Sequence, residues 1–414
     1  MDYRYTFFFI IASLSAQSVP FRLGVENISP DFHKRLNIKT DDHNPIYALI
    51  TNHTGKNLQG QHTIDILRKR GFTIAYLLAP EHGMTGAQQA ATHVANGYDP
   101  IRKTPIISVY GNGSGKSLTQ EIIDTLDGFI FDIQDVGMRH YTYVSTLLRM
   151  LQTAATNHKL FIVLDRPNIL GGRMEGPLVS DEILARKSFI AASPIPLRHG
   201  MTVGELARYF NKYVLQKPAP LYVVPMTGYA RQVLLPDTLI YNLSPNIINK
   251  QSCYGYSFLG LLGEVRPLDV GIGTQASFAR IGIDKAHGVT HDKLKSLRIQ
   301  LAGSGIATQL CAYFNERRKK HHYGLSLHID NVNAVSSFNA FLCVLNFCKE
   351  SGVPLEFSPY FDHAVGTALV RQYMQGSVSY TKLKQDVNRA LEQFFYKAQS
   401  IFIYTPWPTL TLIE

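Results

Sequence analysis

From residue 46 onward, apolar runs of strand length alternate with amphipathic stretches of helix length, and few folds admit that alternation. It predicts an α/β chain, a mostly parallel sheet whose strands are joined by crossover helices. The expected strands are Ile46 to Ile50, Thr73 to Leu78, Pro105 to Tyr110, Gly128 to Phe131 and Leu160 to Leu164. Helices are expected over Thr63 to Arg70, Leu118 to Leu126 and Tyr141 to Ala155. A further helix starts at Thr202, an N-cap with Glu205 three positions on as its capping-box partner, and runs to Val214. After one more strand, Leu221 to Pro225, the pattern changes to a turn-rich and Gly-rich region until about residue 285, then to mixed helix and strand. A domain boundary is placed near residue 235; the 414 residues suffice for two cores.

Composition narrows the classes. With 45% hydrophobic and 17% charged residues, the chain is globular rather than disordered. A net charge of +10 suits an anionic polymer, but the densest basic run is Arg317-Arg318-Lys319-Lys320, read as a solvated helix end, so no nucleic-acid partner is expected. Residues 1–18 hold Arg4, an apolar stretch from Phe7 to Ala12 and then small residues, which reads as a signal peptide and predicts a periplasmic or secreted protein; a first core strand in a cytoplasmic protein is the alternative. No later stretch is long enough to span a membrane. Cys253, Cys311, Cys343 and Cys348 show no metal-type pairing.

The chemistry is expected at the carboxyl ends of the strands, where open α/β sheets bind ligands. Each of the first five strands runs into a polar cluster. These are Thr51-Asn52-His53-Thr54-Gly55, Ala79-Pro80-Glu81-His82-Gly83, Tyr110-Gly111-Asn112, then Asp132 to Gly137 followed by Arg139-His140-Tyr141, and Asp165-Arg166-Pro167-Asn168. One cluster alone reads as loop capping; five in register read as a site. Gly111 to Ser117 misses a phosphate loop because Walker spacing needs glycine where Tyr110 stands, and is read as a flexible loop. There is no dinucleotide fingerprint, no H-E-x-x-H pair for a metal and no G-x-S-x-G elbow. What is left is a carboxylate-rich pocket, with Glu81, Asp132, Asp135, Asp165 and Glu175 beside Tyr141, Tyr143 and several Arg and His, equipment that suits glycoside hydrolysis.

These motifs carry a family resemblance. Thr51 to Gly55, Ala79 to Gly83, Phe131 to Gly137 with Tyr141-Thr142-Tyr143, Leu164 to Asn168, Glu175-Gly176-Pro177, Pro196 to Thr202 with Gly204-Glu205-Leu206, Ser244-Pro245-Asn246, and the tail pattern Phe361-Asp362, Gly366-Thr367 and Arg371 together resemble the NamZ-type exo-β-N-acetylmuramidases. The resemblance covers about residues 22 to 404. It implies a Rossmann-like catalytic domain over 22–235 and a smaller α+β domain over 236–414 covering the site. It also implies release of N-acetylmuramic acid from the non-reducing end of peptidoglycan fragments, without cofactor or metal.

On this reading Glu81 is the proton donor, and Asp132 and Asp135 are the other catalytic carboxylates, although Asp135 could instead fix Arg139 or cap the next helix. Arg166 and Arg198 are candidates for the muramic carboxylate, an Asp165–Arg166 ion pair being the alternative for the first. Asn52, His53, His82, Arg139, Tyr141, Tyr143, Asp165, Glu175, His199 and Asn246 complete the expected sugar-binding set, with Tyr256 and Glu264 matched through a one-residue shift. Ile272 stands where the family pattern Gly-Arg-Gly-Thr has arginine, which opens substrate choice. Two other classes remain in play: an inactive relative that grips a muropeptide, and a phosphate-binding transferase on the same kind of sheet.

Overall fold

The computed structural model describes residues 19–32, 44–89, 91–110 and 118–414. The expected leader, 1–18, and the glycine-rich loop, 111–117, lie outside the described residues. Seven strands form the central sheet: β1 (Ile46–Thr51), β2 (Thr73–Ala79), β3 (Gly97–Asp99), β4 (Thr104–Ser108), β5 (Gly128–Asp132), β6 (Leu160–Leu164) and, after a short outlying β7 (Arg173–Glu175), β8 (Leu221–Val224). Their order is β3-β4-β2-β1-β5-β6-β8, and every pairing is parallel except that of β3 with β4. β5 is buried along its whole length and β1 at all but its first residue, as expected of strands covered on both faces.

The order reverses beside β1: β2 and β4 extend the sheet one way, β5, β6 and β8 the other. The carboxyl ends of β1 and β5 therefore flank a topological switch point, the position at which such sheets leave a crevice. The Thr51 hydroxyl donates to the Asp132 carbonyl (2.9 Å) and ties the two ends together.

The five expected strands and the crossover helices are present with shifted ends. The third strand stops at Ser108, whose N–H turns to the Asn96 side chain at 2.9 Å, and the helix expected from Tyr141 begins at Tyr143. The capping box is observed as drawn: Thr202 Oγ1 accepts from Glu205 N–H and the Glu205 carboxylate accepts from Thr202 N–H.

The turn-rich reading of 225–285 needs a correction, because a helix of 13 residues, Lys250–Leu262, runs through it. Its glycines are contact points rather than breakers. A Cβ at Gly255 would lie 1.8 Å from the Phe278 carbonyl oxygen, and one at Gly260 would lie 2.7 Å from His140 Nε2. Glycine's helix penalty of about 1 kcal/mol is accepted here for close packing over the sheet's edge.

Beyond it, the two-residue β9 (Val265–Arg266) precedes an antiparallel sheet of β10 (Arg280–Asp284), β11 (Ala307–Asn315) and β12 (Lys320–His328) in the order β10-β12-β11. β13 (Glu356–Phe357) pairs with β9. The last strand, β14 (Thr409–Thr411), returns to pair with β7 in the first half. Buried apolar side chains of both halves form one contiguous cluster.

Candidate active site

Glu81 leaves the end of β2 in a turn whose next two residues, His82 (φ 69°) and Gly83 (φ 71°), are both left-handed. That conformation is sparsely populated for a histidine and is held here by a bond between His82 Nδ1 and the Gln88 carbonyl (2.7 Å). Glu81 is buried, accepting Ala91 N–H at 2.8 Å and the Thr142 hydroxyl at 2.5 Å. The Tyr110 hydroxyl lies beside it, and burial first, then the Glu81 charge, push that phenol above its ordinary range. Tyr110 belongs to the third expected strand-end cluster and Thr142 to the Tyr141–Tyr143 motif, but neither has an expected role of its own. Their only signal was that membership.

Asn52, at the end of β1, donates from Nδ2 to the Tyr143 hydroxyl (2.8 Å) and accepts the Thr54 N–H and hydroxyl on Oδ1. Tyr143 meets Tyr141 edge to face at 4.7 Å, and Tyr141 meets Tyr256 at 6.0 Å. Tyr256 comes from the 250–262 helix and also packs on His140 (4.8 Å) and Phe278 (5.0 Å). Burial holds Tyr143 and Tyr256 protonated, and the charges of Glu81 and Asp135 push both in the same direction. The two carboxylates thus face one cluster of tyrosines from different loops.

Asp135 is buried; its Oδ2 accepts Gly137 N–H at 2.7 Å, and its Oδ1 has no partner. His199 Nδ1 accepts Met201 N–H, so the neutral ring carries its proton on Nε2, 3.4 Å from Asp135 Oδ2. Both nitrogens of buried His140, Gln134 Oε1 and Arg139 Nε are also unpartnered. Buried polar atoms are nearly always satisfied, so this many orphans on one loop and its neighbour mark a place built for something else to bind.

The other expected carboxylates differ. Asp132 is gripped by Arg166 through Nε–Oδ1 (2.5 Å) and Nη2–Oδ2 (2.8 Å), and it also accepts the Thr63 hydroxyl. Arg166, expected to bind the muramic carboxylate, spends its Nε and Nη2 on Asp132 and the Lys56 carbonyl, and its ion pair is with Asp132 rather than Asp165. Asp165 accepts Gly204 N–H, Arg166 N–H and the Thr202 and Tyr404 hydroxyls, capping the helix Val203–Tyr213. Burial raises its carboxyl to about 6 against those four donors.

Glu175 and Arg198 form a fully buried pair at 2.7 Å, with Arg198 also donating to the carbonyls of Leu170, Val332 and Val335 while its Nε has no partner. Arg139 is not held by Asp135. It donates to the carbonyls of Pro177, Ile195 and Ala364 instead, and burial lowers its guanidinium to about 9.

At the margins, His53 Nε2 donates to the Asn242 carbonyl at 2.5 Å, leaving Nδ1 an unpartnered acceptor, and burial lowers its pKa. With Asn52, Met84, Thr85 and Arg102 it lines a cavity of about 340 Å³. Asn246 is half-buried in the turn that closes between Ser244 and Ile247. Glu264 accepts the Ser358 hydroxyl, and its charge also reaches Tyr256. Among the described residues no group of three or more His, Cys, Asp or Glu side chains is placed to hold a metal ion, and no helix is long and apolar enough to cross a membrane.

Comparison with known proteins gives the family and the fold. Residues 47–251 match the family described as exo-β-N-acetylmuramidase NamZ, N-terminal, and residues 254–404 match its C-terminal counterpart. The peptidoglycan β-N-acetylmuramidase NamZ of Bacillus subtilis (strain 168) is 31% identical over 402 residues, 94% of this chain and 93% of that one. Crystal structures of two DUF1343 family proteins from Bacteroides fragilis NCTC 9343 are similar. One has a TM-score of 0.78 at 28% identity and the other 0.65 at 25%, each covering 93% of this chain and 99% of its own.

Proposed function

The chain belongs to the NamZ exo-β-N-acetylmuramidase family and is a peptidoglycan glycosidase, and from that premise we propose that Glu81 and Asp135 divide its chemistry. The observation that carries the division is a pair of buried carboxylates on neighbouring loops whose charges both reach Tyr143 and Tyr256, while Asp132 and Glu175 are each ion-paired to a buried arginine. Glu81, steadied by Thr142 and Ala91, protonates the glycosidic oxygen as the bond to the terminal N-acetylmuramic acid breaks. Asp135, with an open Oδ1 and the Nε2–H of His199 beside its other oxygen, stabilises the positive charge that develops on the sugar or steers the water that attacks it. Asn52, His53, His82, Tyr143 and Tyr256 are the groups left to hold hydroxyl and acetamido groups.

In this reading residues 22–235 form the catalytic unit and 236–414 the cover, the role that Tyr256 takes over Tyr141. Export through the residue 1–18 leader places the enzyme where its substrate lies. No feature of the site favours an inactive relative. The test is hydrolysis of a chromogenic N-acetyl-β-D-muraminide beside the matching N-acetylglucosaminide. Turnover of the first well above the second is expected; turnover of neither sinks the reading.

A further inference from the structure

The space beside Asn52 is not the only one among the described residues that is lined by polar side chains. A cavity of about 670 Å³ opens in the C-terminal half, at the end of the helix that carries Tyr256. Gly263, which caps that helix, forms part of its wall, together with Ile272 and Val270. Seven helical positions separate Gly263 from Tyr256, about 10 Å at 1.5 Å per residue. The cavity therefore begins roughly one short oligosaccharide step from the tyrosine that Glu81 and Asp135 both face.

Its charge is uneven. Two of its acids are already answered: Asp284 by Lys320 at 2.6 Å, and Asp269 by the Tyr313 hydroxyl (2.7 Å), Asn315 (2.9 Å) and, at 3.7 Å, Arg280. Arg266, Arg317 and Arg318 also line it, and among the described residues none of the three has a carboxylate within ion-pair distance. Glu356, across the strand pair from Arg266, is the one remaining acid on the wall. Arg318 is anchored by Nη1 to the Pro267 and Leu268 carbonyls (3.1 and 2.8 Å), which leaves its remaining N–H groups for another acceptor. Its guanidinium is lowered first by burial and then by the like charge of Arg266, against the opposing charge of Asp269.

His322 adds a complementary group. It is buried and stacked on Tyr313 at 5.3 Å; its Nδ1 bonds the Lys320 carbonyl, and its Nε2 has no partner. With the proton on Nδ1, Nε2 is an acceptor waiting for a hydroxyl or amide N–H.

We propose that this cavity is a subsite for the leaving portion of the substrate, in which Arg266, Arg317 and Arg318 bind a carboxylate carried beyond the sugar being removed. The proposal rests on the glycosidase reading above. Peptidoglycan offers that chemistry from two sources, the lactyl carboxylate of the next muramic residue and the acidic residues of a stem peptide. The apolar wall at Ile272 suits the methyl groups that accompany either.

The experiment compares kcat/KM on three substrates: the chromogenic N-acetylmuraminide, a peptide-free tetrasaccharide of alternating N-acetylmuramic acid and N-acetylglucosamine, and its peptide-bearing counterpart. The variants are Arg266→Gln/Arg317→Gln, both positions exposed so that the fold is kept, and Arg317→Lys, which keeps the charge. In the double variant the ratio of tetrasaccharide to chromogenic kcat/KM falls by about tenfold or more, mostly through KM, and Arg317→Lys loses less. A fall confined to the peptide-bearing substrate identifies the stem peptide as the source; a fall confined to the peptide-free tetrasaccharide, whose lactyl carboxyls are not tied up as amides, identifies the lactyl carboxylate, and a fall on both means that either carboxylate is bound. Unchanged ratios in an active enzyme overturn the subsite. A wild-type enzyme that cleaves none of the three overturns the glycosidase reading instead.

Discussion

Two groups of buried acids lie along one sheet edge, and they differ in how completely they are satisfied. Asp132, Asp165 and Glu175 are closed off by Arg166, by four donors and by Arg198 respectively. Around Asp135, by contrast, its own Oδ1, both His140 nitrogens and Gln134 Oε1 are without partners, while Glu81 nearby is bonded through both oxygens to donors from other loops. A carboxylate at a strand's end is thus weak evidence for chemistry. Unmet hydrogen-bonding capacity is stronger evidence, because burying an unpaired polar group costs about 1–3 kcal/mol and persists only where something compensates.

The sharpest way to break the contrast is Glu81→Gln, which keeps the shape but cannot give up a proton. It should lower kcat on the chromogenic muraminide by roughly 10²–10⁴-fold with melting temperature little changed. A variant at near wild-type rate removes Glu81 from its role. On the saturated side, Arg198→Leu should do the reverse. Stripping Glu175 of its buried partner should lower stability by about 3–5 kcal/mol in urea unfolding, while turnover per folded molecule stays close to wild type. Selective loss of turnover would move the pair into the site.

Asp135→Asn tests the open side more gently. Removing the charge from one open acceptor should reduce kcat/KM by about 10–150-fold, the equivalent of 1.5–3 kcal/mol. A stability loss without a rate loss would class Asp135 with Asp165. A test that leaves turnover aside concerns His140, which burial first, and Arg139 next, lower to about 3. The unfolded chain takes up that proton near pH 6.5 while the folded chain does not. Stability is therefore complete above about 6.5 and declines toward 3 by up to about 1.4 kcal/mol per pH unit. His140→Phe should flatten unfolding free energies measured between pH 6 and 4; an unchanged slope assigns the acid sensitivity elsewhere.

Much of the first half could be read from the chain because strand-length apolar runs and a capping box are local signals. The 250–262 helix was hidden because its glycines serve contacts with Phe278 and His140 that no local pattern reveals. The site was legible as residue types and not as partnerships. Asp165 and Arg166 look like a pair when written side by side, yet successive side chains of extended backbone point to opposite faces. The partner of Arg166 is Asp132, on the neighbouring strand end, with Phe131 in register opposite Val163. Likewise nothing near Arg139 in the chain announces that carbonyls up to Ala364 would replace an acid as its partners.

The return of the tail has a consequence for how the molecule is made. β14 pairs with β7, the Tyr404 hydroxyl bonds Asp165, and the Ile403 N–H bonds Glu205. On a ribosome, residues 160–213 emerge some 190 residues ahead of the partners that satisfy their buried acids, the separation between Glu205 and Ile403 being 198. The first half can form its sheet during synthesis, with three donors already on Asp165 and Arg231 following for Glu205, but it lacks the last hydrogen bonds to both acids until the segment around Ile403 and Tyr404 arrives. Domains generally fold as units as they appear, at about 5–20 residues per second, so this enzyme spends roughly ten to forty seconds as a nearly finished sheet. Its final locking step is the docking of the segment from Ile403 to Thr411.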